Sequence, residues 1–433
     1  MNPTIVGLIG IAALFIFLFM RMPVGFLMAM IGFAGFGCLV SFDAALNLAA
    51  KDVFSVFSSY NLTVIPLFVL MGQIAFHSGI SSRLFDTAYK FMGHLPGGLA
   101  IATIGACAGF SAICGSTNAT AATMAAATLP EMKRYHYKPG LATGVVAAGG
   151  SLGILIPPSV IFIVYGIMTE QSIGELFIAG FLPGLLLTGL FVLAIIIWTR
   201  LRPDLAPRAQ KASFQEKIKS LSGLVETLIL FVLVMGGLFM GFFTPTEAGG
   251  VGAFGTLVLA VIKKNLSWQG FVSALFETTR ISCMILVIVA GATIFGHFLA
   301  ISRIPFDIAA WISGADLPPF MIMSFIILVY LLGGCFIDSL ALIMLTVPIF
   351  YPVVIHFGYN PLWFGVVIVL ITQIGVITPP VGINVYVVSG VARDVPLDVI
   401  FKGVVPLLIA LVIGTVLLIP FPQIALFLPN LIR

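Results

Sequence analysis

The sequence predicts an all-α polytopic membrane protein made of two related halves. Three observations carry that reading. Hydrophobic residues are 60% of the 433 positions and charged residues only 8%, a balance that leaves too little polar surface for an ordinary water-facing domain. Apolar runs of about 20 residues, enough to cross a roughly 30 Å hydrocarbon core, recur along the chain. Finally, six prolines repeat at one fixed spacing. Adding 222 to Pro23, Pro96, Pro130, Pro139, Pro157 and Pro158 lands on Pro245, Pro318, Pro352, Pro361, Pro379 and Pro380, in a chain with 25 prolines. The apolar–polar alternation of a membrane β-barrel is absent.

Taken in order, the first run, "MNPTIVGLIGIAALFIFLFMRMPVG", has neither a basic leader nor a small-residue cleavage site. It reads as a first span and not as a removable signal peptide. Apolar runs bounded by Pro, Gly and charge place spans near 4–20, 24–41, 60–78, 141–168 and 175–199. A basic linker follows at about 200–221, carrying Arg200, Arg202, Arg208, Lys211, Lys217 and Lys219. Spans recur near 222–243, 246–262, 282–300, 362–390 and 403–425.

Two stretches, about 97–133 and 319–355, are too long for one crossing and suit two short legs that enter and leave on one side. Such re-entrant backbone persists only where protein or a water-filled cavity surrounds it. Each half, 1–199 and 222–433, therefore holds five spans and one hairpin. An odd number of crossings turns the second half upside down relative to the first, the inverted-repeat plan of many secondary transporters.

The distribution of Lys and Arg orients the chain, because cytoplasmic loops carry the excess. With the N-terminus outside, Arg21, Arg83, Lys90, Lys133, Arg134, Lys138, the linker, Lys263, Lys264, Arg280, Arg393 and Lys402 all face the cytoplasm. Only Lys51, Arg303 and Arg433 fall outside. The first hairpin then opens from the cytoplasm and the second from the external face.

A paired break is the strongest local signal. "GGSLGILIPPSVIF" (149–162) and "TQIGVITPPVGINVY" (372–386) interrupt otherwise continuous spans. Proline has no N–H to donate, so Pro157 and Pro158 release the carbonyls of Gly153 and Ile154, and Pro379 and Pro380 those of Gly375 and Val376. Freed carbonyls at the negative end of a half-helix suit a hard cation such as Na+. A lone Pro-Pro would be explained as a kink. Two in symmetric positions, each beside a hairpin, point to a binding site. Gly153 and Gly375 are expected to supply close approach and unusual dihedrals.

Ser116, Thr117 and Asn118 fall where the first hairpin turns, and Asp338 and Ser339 hold the matching place in "GGCFIDSLALIMLTVP" (333–348). All five are candidate solute or ion contacts. A carboxylate at membrane depth is expensive and marks a functional site. Asp338 either ligates an ion or holds the hairpin turn by accepting backbone N–H bonds. Asn384, one turn past the second break, either meets solute or caps the second half-helix. Thr120 and Thr123 are assigned the plainer task of bonding back to their own helix or joining neighbours. Glu247 begins a span and favours its N-terminus.

Other chemistries find no support. Cys38, Cys107, Cys114, Cys283 and Cys335 lie in apolar segments without a CxxC pair, so neither a disulfide framework nor a metal centre is implied. The five histidines show no ligand spacing. No phosphate-binding G-x-x-x-x-G-K-[ST] loop, HExxH or G-x-S-x-G occurs. The drive must come from an ion gradient or a partner, and no cofactor is expected beyond a coupling Na+.

At these segments the chain resembles the large membrane (M, DctM-like) subunit of tripartite ATP-independent periplasmic, or TRAP, transporters. "GFSAICGSTNATAAT" (109–123), "GGSLGILIPPS" (149–159), "GGCFIDSLALIMLTVPIFYPV" (333–353) and "QIGVITPPVGINVYVVSGVA" (373–392) carry the resemblance, which covers essentially the whole chain. It implies an elevator-type fold in which a scaffold holds a moving domain containing both hairpins. It also implies a bacterial inner-membrane location, a smaller four-helix membrane subunit (Q type) as a separate chain, and a periplasmic substrate-binding protein (P type). Organic-acid substrates and Na+ coupling follow from the same resemblance. The Na+ ligands it implies, mostly backbone carbonyls, are Ser111, Cys114, Gly153, Ile156 and Pro158 in one half, and Gly334, Asp338, Gly375, Thr378 and Val381 in the other. Cys114 stands where serine is common, a departure of small consequence if the carbonyl is the ligand.

The expected function is Na+-coupled import of small carboxylates, of dicarboxylate or sugar-acid type. Its competitors are a stand-alone symporter that needs no binding protein, an ion channel and an intramembrane enzyme. A channel more typically builds a symmetric oligomeric filter than two unlike hairpins in one chain. The enzyme lacks a nucleophile–base constellation.

Overall fold

The computed structural model describes residues 2–20, 22–207, 212–307 and 318–432. Arg21, Arg208, Lys211 and Arg433, used above to orient the chain, lie outside the described residues.

The first half begins with α1 (Pro3–Phe19), started by Asn2, whose side chain accepts from the Thr4 N–H, and α2 (Val24–Leu39). Two helices follow that the apolar runs do not announce, α3 (Phe42–Phe57) and α5 (Ile80–Met92), on either side of α4 (Val64–His77). Both are amphipathic. Asp43, Lys51 and Asp52 on α3, and Arg83, Asp86 and Lys90 on α5, dilute the hydropathy while the apolar positions keep helical spacing. Two legs joined by a tight turn come next, α6 (Gly98–Cys114) and α7 (Thr117–Arg134). The expected span at 141–168 is two pieces, α8 (Pro139–Ser151) with a 3-10 turn at Leu152–Ile154, and α9 (Val160–Thr169). The half closes with α10 (Ile173–Leu201).

Much of the expected linker is helical. α10 reaches Leu201, and α11 (Phe214–Phe231) already starts within the 200–221 stretch, continuing through a π-turn at Val232–Gly236 to Phe239. A capping box closes its start: Ser213 Oγ accepts from the Glu216 N–H, and the Glu216 carboxylate accepts from the Ser213 N–H at 2.8 Å. α12 (Pro245–Ile262) opens the same way with Thr244 and Glu247.

The span expected near 282–300 is the end of a longer helix. α13 (Trp268–Ser302) runs for 35 residues, about 52 Å at 1.5 Å per residue. Its first turns carry Glu277 and Arg280 and escape an apolar-run count. The second hairpin, α14 (Pro319–Gly334) and α15 (Ser339–His356), is followed by α16 (Pro361–Ile377) and α17 (Ile383–Val391) on either side of the second break. α18 (Leu397–Leu418) and α19 (Gln423–Ile432) end the described chain.

The elements recur at the spacing of the prolines. Helix 117–134 has its counterpart in 339–356, and the Pro139 start in the Pro361 start. Packing crosses between the halves: α7 lies against α17, and α15 against α9. Small residues allow the close crossings, since lipid supplies no hydrophobic drive between helices and backbone approach must. A Cβ on Gly291 of α13 would overlap the Gly25 carbonyl of α2, and one on Gly403 of α18 would overlap that of Gly140 on α8.

Among the described residues, seven helices are long and apolar enough to cross a membrane. Large apolar side chains face outward along them, among them Leu193, Ile197, Phe254 and Phe276. Water would penalise such a surface, and hydrocarbon does not. The chain is a multi-span bundle of helices in a bilayer. Glu226 accepts from Arg83 at 2.8 Å and pairs with Lys263 at 3.3 Å, tying α5, α11 and α12 together.

Candidate functional site

Helix capping builds the two hairpin tips. Gly115 takes the left-handed conformation (φ 65°) that ends α6, and Ser116 caps α7, its Oγ accepting from the Ala119 N–H at 3.4 Å. At the corresponding place Asp338 caps α15, with Oδ1 accepting from the Leu340 N–H at 3.0 Å. Of the two roles left open for Asp338, holding the turn is visible directly.

Both tips border one cavity of about 100 Å³. Cys114, Ser116, Thr117 and Asn118 line it from the first hairpin, Asp338 and Ser339 from the second. Its remaining walls are Ile154 and Ile161 from the first break and α9, Gln73 of α4, and Ile281, Met284 and Ile285 of α13. At about 10–15 Å³ per water the space holds several waters or a small polar solute. Ser339 Oγ is buried there without a hydrogen-bond partner among the described residues, and a buried hydroxyl left unmet asks for one.

Each break packs against the nearer tip. A Cβ on Gly115 would stand 2.6 Å from the Pro158 carbonyl oxygen, and one on Gly153 would overlap the Ser116 carbonyl. In the second half, a Cβ on Gly375 would stand 2.5 Å from Gly334 Cα. Gly153 thus lies against the first tip and Gly375 against the second. Both Pro-Pro bonds, 157–158 and 379–380, are cis.

Several expectations change. The Ile154 carbonyl is not free: Ser159 Oγ donates to it at 2.6 Å. The Gly375 carbonyl accepts from the Thr378 N–H at 3.1 Å, so one of its two lone pairs is committed. Neither Gly153 nor Gly375 has positive φ. Their glycine requirement is close approach alone, and the unusual dihedral lies instead at Gly382 (φ 60°). Ser111 Oγ donates to the Cys107 carbonyl at 2.6 Å, and the Ile156 side chain turns to Gly184 of α10. Asn384 neither reaches the cavity nor caps its helix. It is fully buried and donates to the Ala147 carbonyl of α8 at 3.1 Å. Of the two plain tasks given to Thr120, it is the second that the contact fits: its Oγ1 lies 2.9 Å from where a Gly153 Cβ would stand, against the break.

Residues 11–424 match the family model described as "Tripartite ATP-independent periplasmic transporter, DctM component". The chain belongs to this family. The C4-dicarboxylate TRAP transporter large permease DctM of Pseudomonas aeruginosa is 36% identical over 393 residues, covering 90% of this chain and 91% of that one. The sialic acid TRAP transporter large permease SiaM of Vibrio cholerae is 36% identical over 416 residues, covering 96% of each. Among solved structures, the YdaH transporter of Alcanivorax borkumensis has a TM-score of 0.65 at 15% identity, covering 98% of this chain and all of that one. That likeness is one of fold alone.

As a DctM-component permease the chain is a transporter and not an enzyme, and it resides in the bacterial inner membrane. Two walls of the cavity, on α4 and α13, were not among the expected site residues. Gln73 was legible as a lone amide in "LFVLMGQIAF", a polar side chain that membrane depth tolerates only with a partner. Ile281, Met284 and Ile285 had no signal, being ordinary apolar residues of a span.

Proposed function

We propose that this DctM-family permease moves small organic acids into the cell, coupled to Na+, as the translocation subunit of a complex with a Q-type membrane subunit and a P-type binding protein. One observation carries the reading: both hairpin tips, with their hydroxyls, amide and carboxylate, meet in a single cavity. Relatives named for C4-dicarboxylates, sialic acid and isethionate supply the solute class. Ser116, Thr117, Asn118 and Ser339 meet the solute, and Asn384 holds α17 to α8. Ser111, Cys114, Gly153, Ile156 and Pro158 form one cation site, and Gly334, Asp338, Gly375, Thr378 and Val381 the other.

Charge balance supports the coupling. An anionic solute beside the Asp338 carboxylate meets repulsion of about 4 kcal/mol at 4 Å with an effective dielectric of 20. Cations at the two breaks remove that penalty, so solute and Na+ bind together. The halves form an inverted repeat with the N-terminus outside, and the domain carrying both hairpins travels as an elevator past the wall of α4 and α13.

Two experiments test this. In proteoliposomes holding the assembled complex, replacing Na+ by choline is expected to abolish carboxylate accumulation. An inside-negative potential is expected to raise it, since one net charge is worth about 2.3 kcal/mol per 100 mV, roughly 50-fold. Uptake unchanged in choline overturns the coupling. For topology, an impermeant thiol reagent outside spheroplasts is expected to label Arg303→Cys and spare Ala212→Cys, both in a chain without its native cysteines. Equal labelling contradicts the inverted arrangement.

A further inference from the structure

One face of α13 lines two cavities. Ile281, Met284 and Ile285 border the one at the hairpin tips. Val289, Ala292, Thr293, Gly296 and His297 border a second, of about 230 Å³, closed on the other side by Met168 of α9 and Pro348 of α15. The positions 281, 285, 289, 292 and 296 keep the three- and four-residue steps of a single helix face. From Met284 to Gly296 the track covers about 18 Å. Its residues shrink along the way, and a Cβ on Gly296 would meet nothing within 4 Å. Beside the track, α13 is in backbone contact with α2, where Gly291 meets Gly25.

His297 is the one ionisable group lining the second cavity among the described residues. It is held from outside the track. Asp52, buried at 5% exposure on α3, bonds His297 Nδ1 at 2.8 Å. The imidazole itself stays about half exposed. A carboxylate on Nδ1 fixes the ring's orientation and keeps the proton on that nitrogen, which leaves Nε2 for the cavity.

We infer that His297, oriented by Asp52, is the specificity-determining contact for the solute's carboxylate at the external end of this track. The inference rests on the function proposed above. In the topology given there, α13 ends outside at Arg303, so His297 lies toward the periplasm and the tip cavity toward the cytoplasm. A solute arriving from outside meets His297 first, and a ring that carries both protons, Nδ1–H on Asp52, presents Nε2–H as a donor to the solute's carboxylate. His297 supplies a ring donor to a track whose lining holds no arginine or lysine among the described residues.

The test is uptake kinetics in proteoliposomes with the assembled complex, using succinate and D-gluconate as probes of the two acid classes. His297→Gln keeps an amide donor for Asp52 but loses the charge, and is expected to raise KM at least 10-fold with maximal rate and Na+ half-saturation within about twofold. His297→Arg, which keeps a cation, is expected to hold KM within about threefold of wild type. If the pair only joins α3 to α13, both variants lower the maximal rate or folded yield and leave KM unchanged, and the inference is wrong. Uptake of neither acid by the wild-type complex overturns the proposed function and this inference together.

Discussion

Gly375→Ala is expected to cut Na+-dependent uptake by more than 100-fold and to lower the thermal stability of the purified protein. A methyl there would stand 2.5 Å from Gly334 Cα and overlap the Gly334 carbonyl. Both partners are backbone, so no flexible side chain can yield. The second hairpin must move away from the broken helix, at a cost of about 3 kcal/mol by the measure of overpacked cores. The same shift pulls apart Gly334 and Gly375, two members of one proposed cation cluster, so Na+ affinity and folding suffer together. Gly189→Ala on α10 is the control, because a Cβ there meets nothing within 4 Å and alanine favours the helix by up to about 1 kcal/mol. Wild-type uptake in Gly375→Ala, measured beside that control, would show that the contact is not required.

Asp338→Asn is expected to raise the Na+ concentration for half-maximal uptake at least 10-fold while leaving the melting temperature near wild type. The amide oxygen of asparagine can still accept from the Leu340 N–H, so the α15 cap survives the change. What disappears is the negative charge facing Ser116, Thr117 and Asn118 across the cavity. Asp338→Ala removes cap and charge together and is expected to add a loss of about 1 kcal/mol of stability, the worth of an N-cap. Normal Na+ dependence in Asp338→Asn, with instability confined to Asp338→Ala, would reduce Asp338 to a hairpin anchor. Ser116→Ala, which removes the weaker cap at the first tip, serves as the matched comparison.

Both predictions concern residues whose positions were readable from the chain, though their contacts were not. The apolar runs, the 222-residue spacing of the prolines and the short polar stretches at 116–118 and 338–339 are local or periodic features. They follow from what lipid tolerates and what proline forbids, and they marked the tips and the breaks without any knowledge of packing. The amphipathic α3 and α5 were lost for the converse reason. Their charges, needed where a helix lies against both apolar and polar surroundings, lowered the average by which spans are recognised.

By itself, the sequence determined the helical membrane class, the recurring prolines and the places where they interrupt helices, because each depends on the chemistry of a few neighbouring side chains. Only the tertiary structure decided which of them meet. It brought Ser116 and Asp338 to one cavity, sent Asn384 to Ala147, returned the Ile154 carbonyl to Ser159, and set Asp52 beneath His297, 245 positions away. It also broke the symmetry that the prolines suggest: Pro157 and Pro158 are buried, while Pro379 and Pro380 are exposed. The physical reason is that a carbonyl's partner, or a glycine's need for closeness, depends on what the fold places opposite it, and no pattern of neighbours along the chain records that.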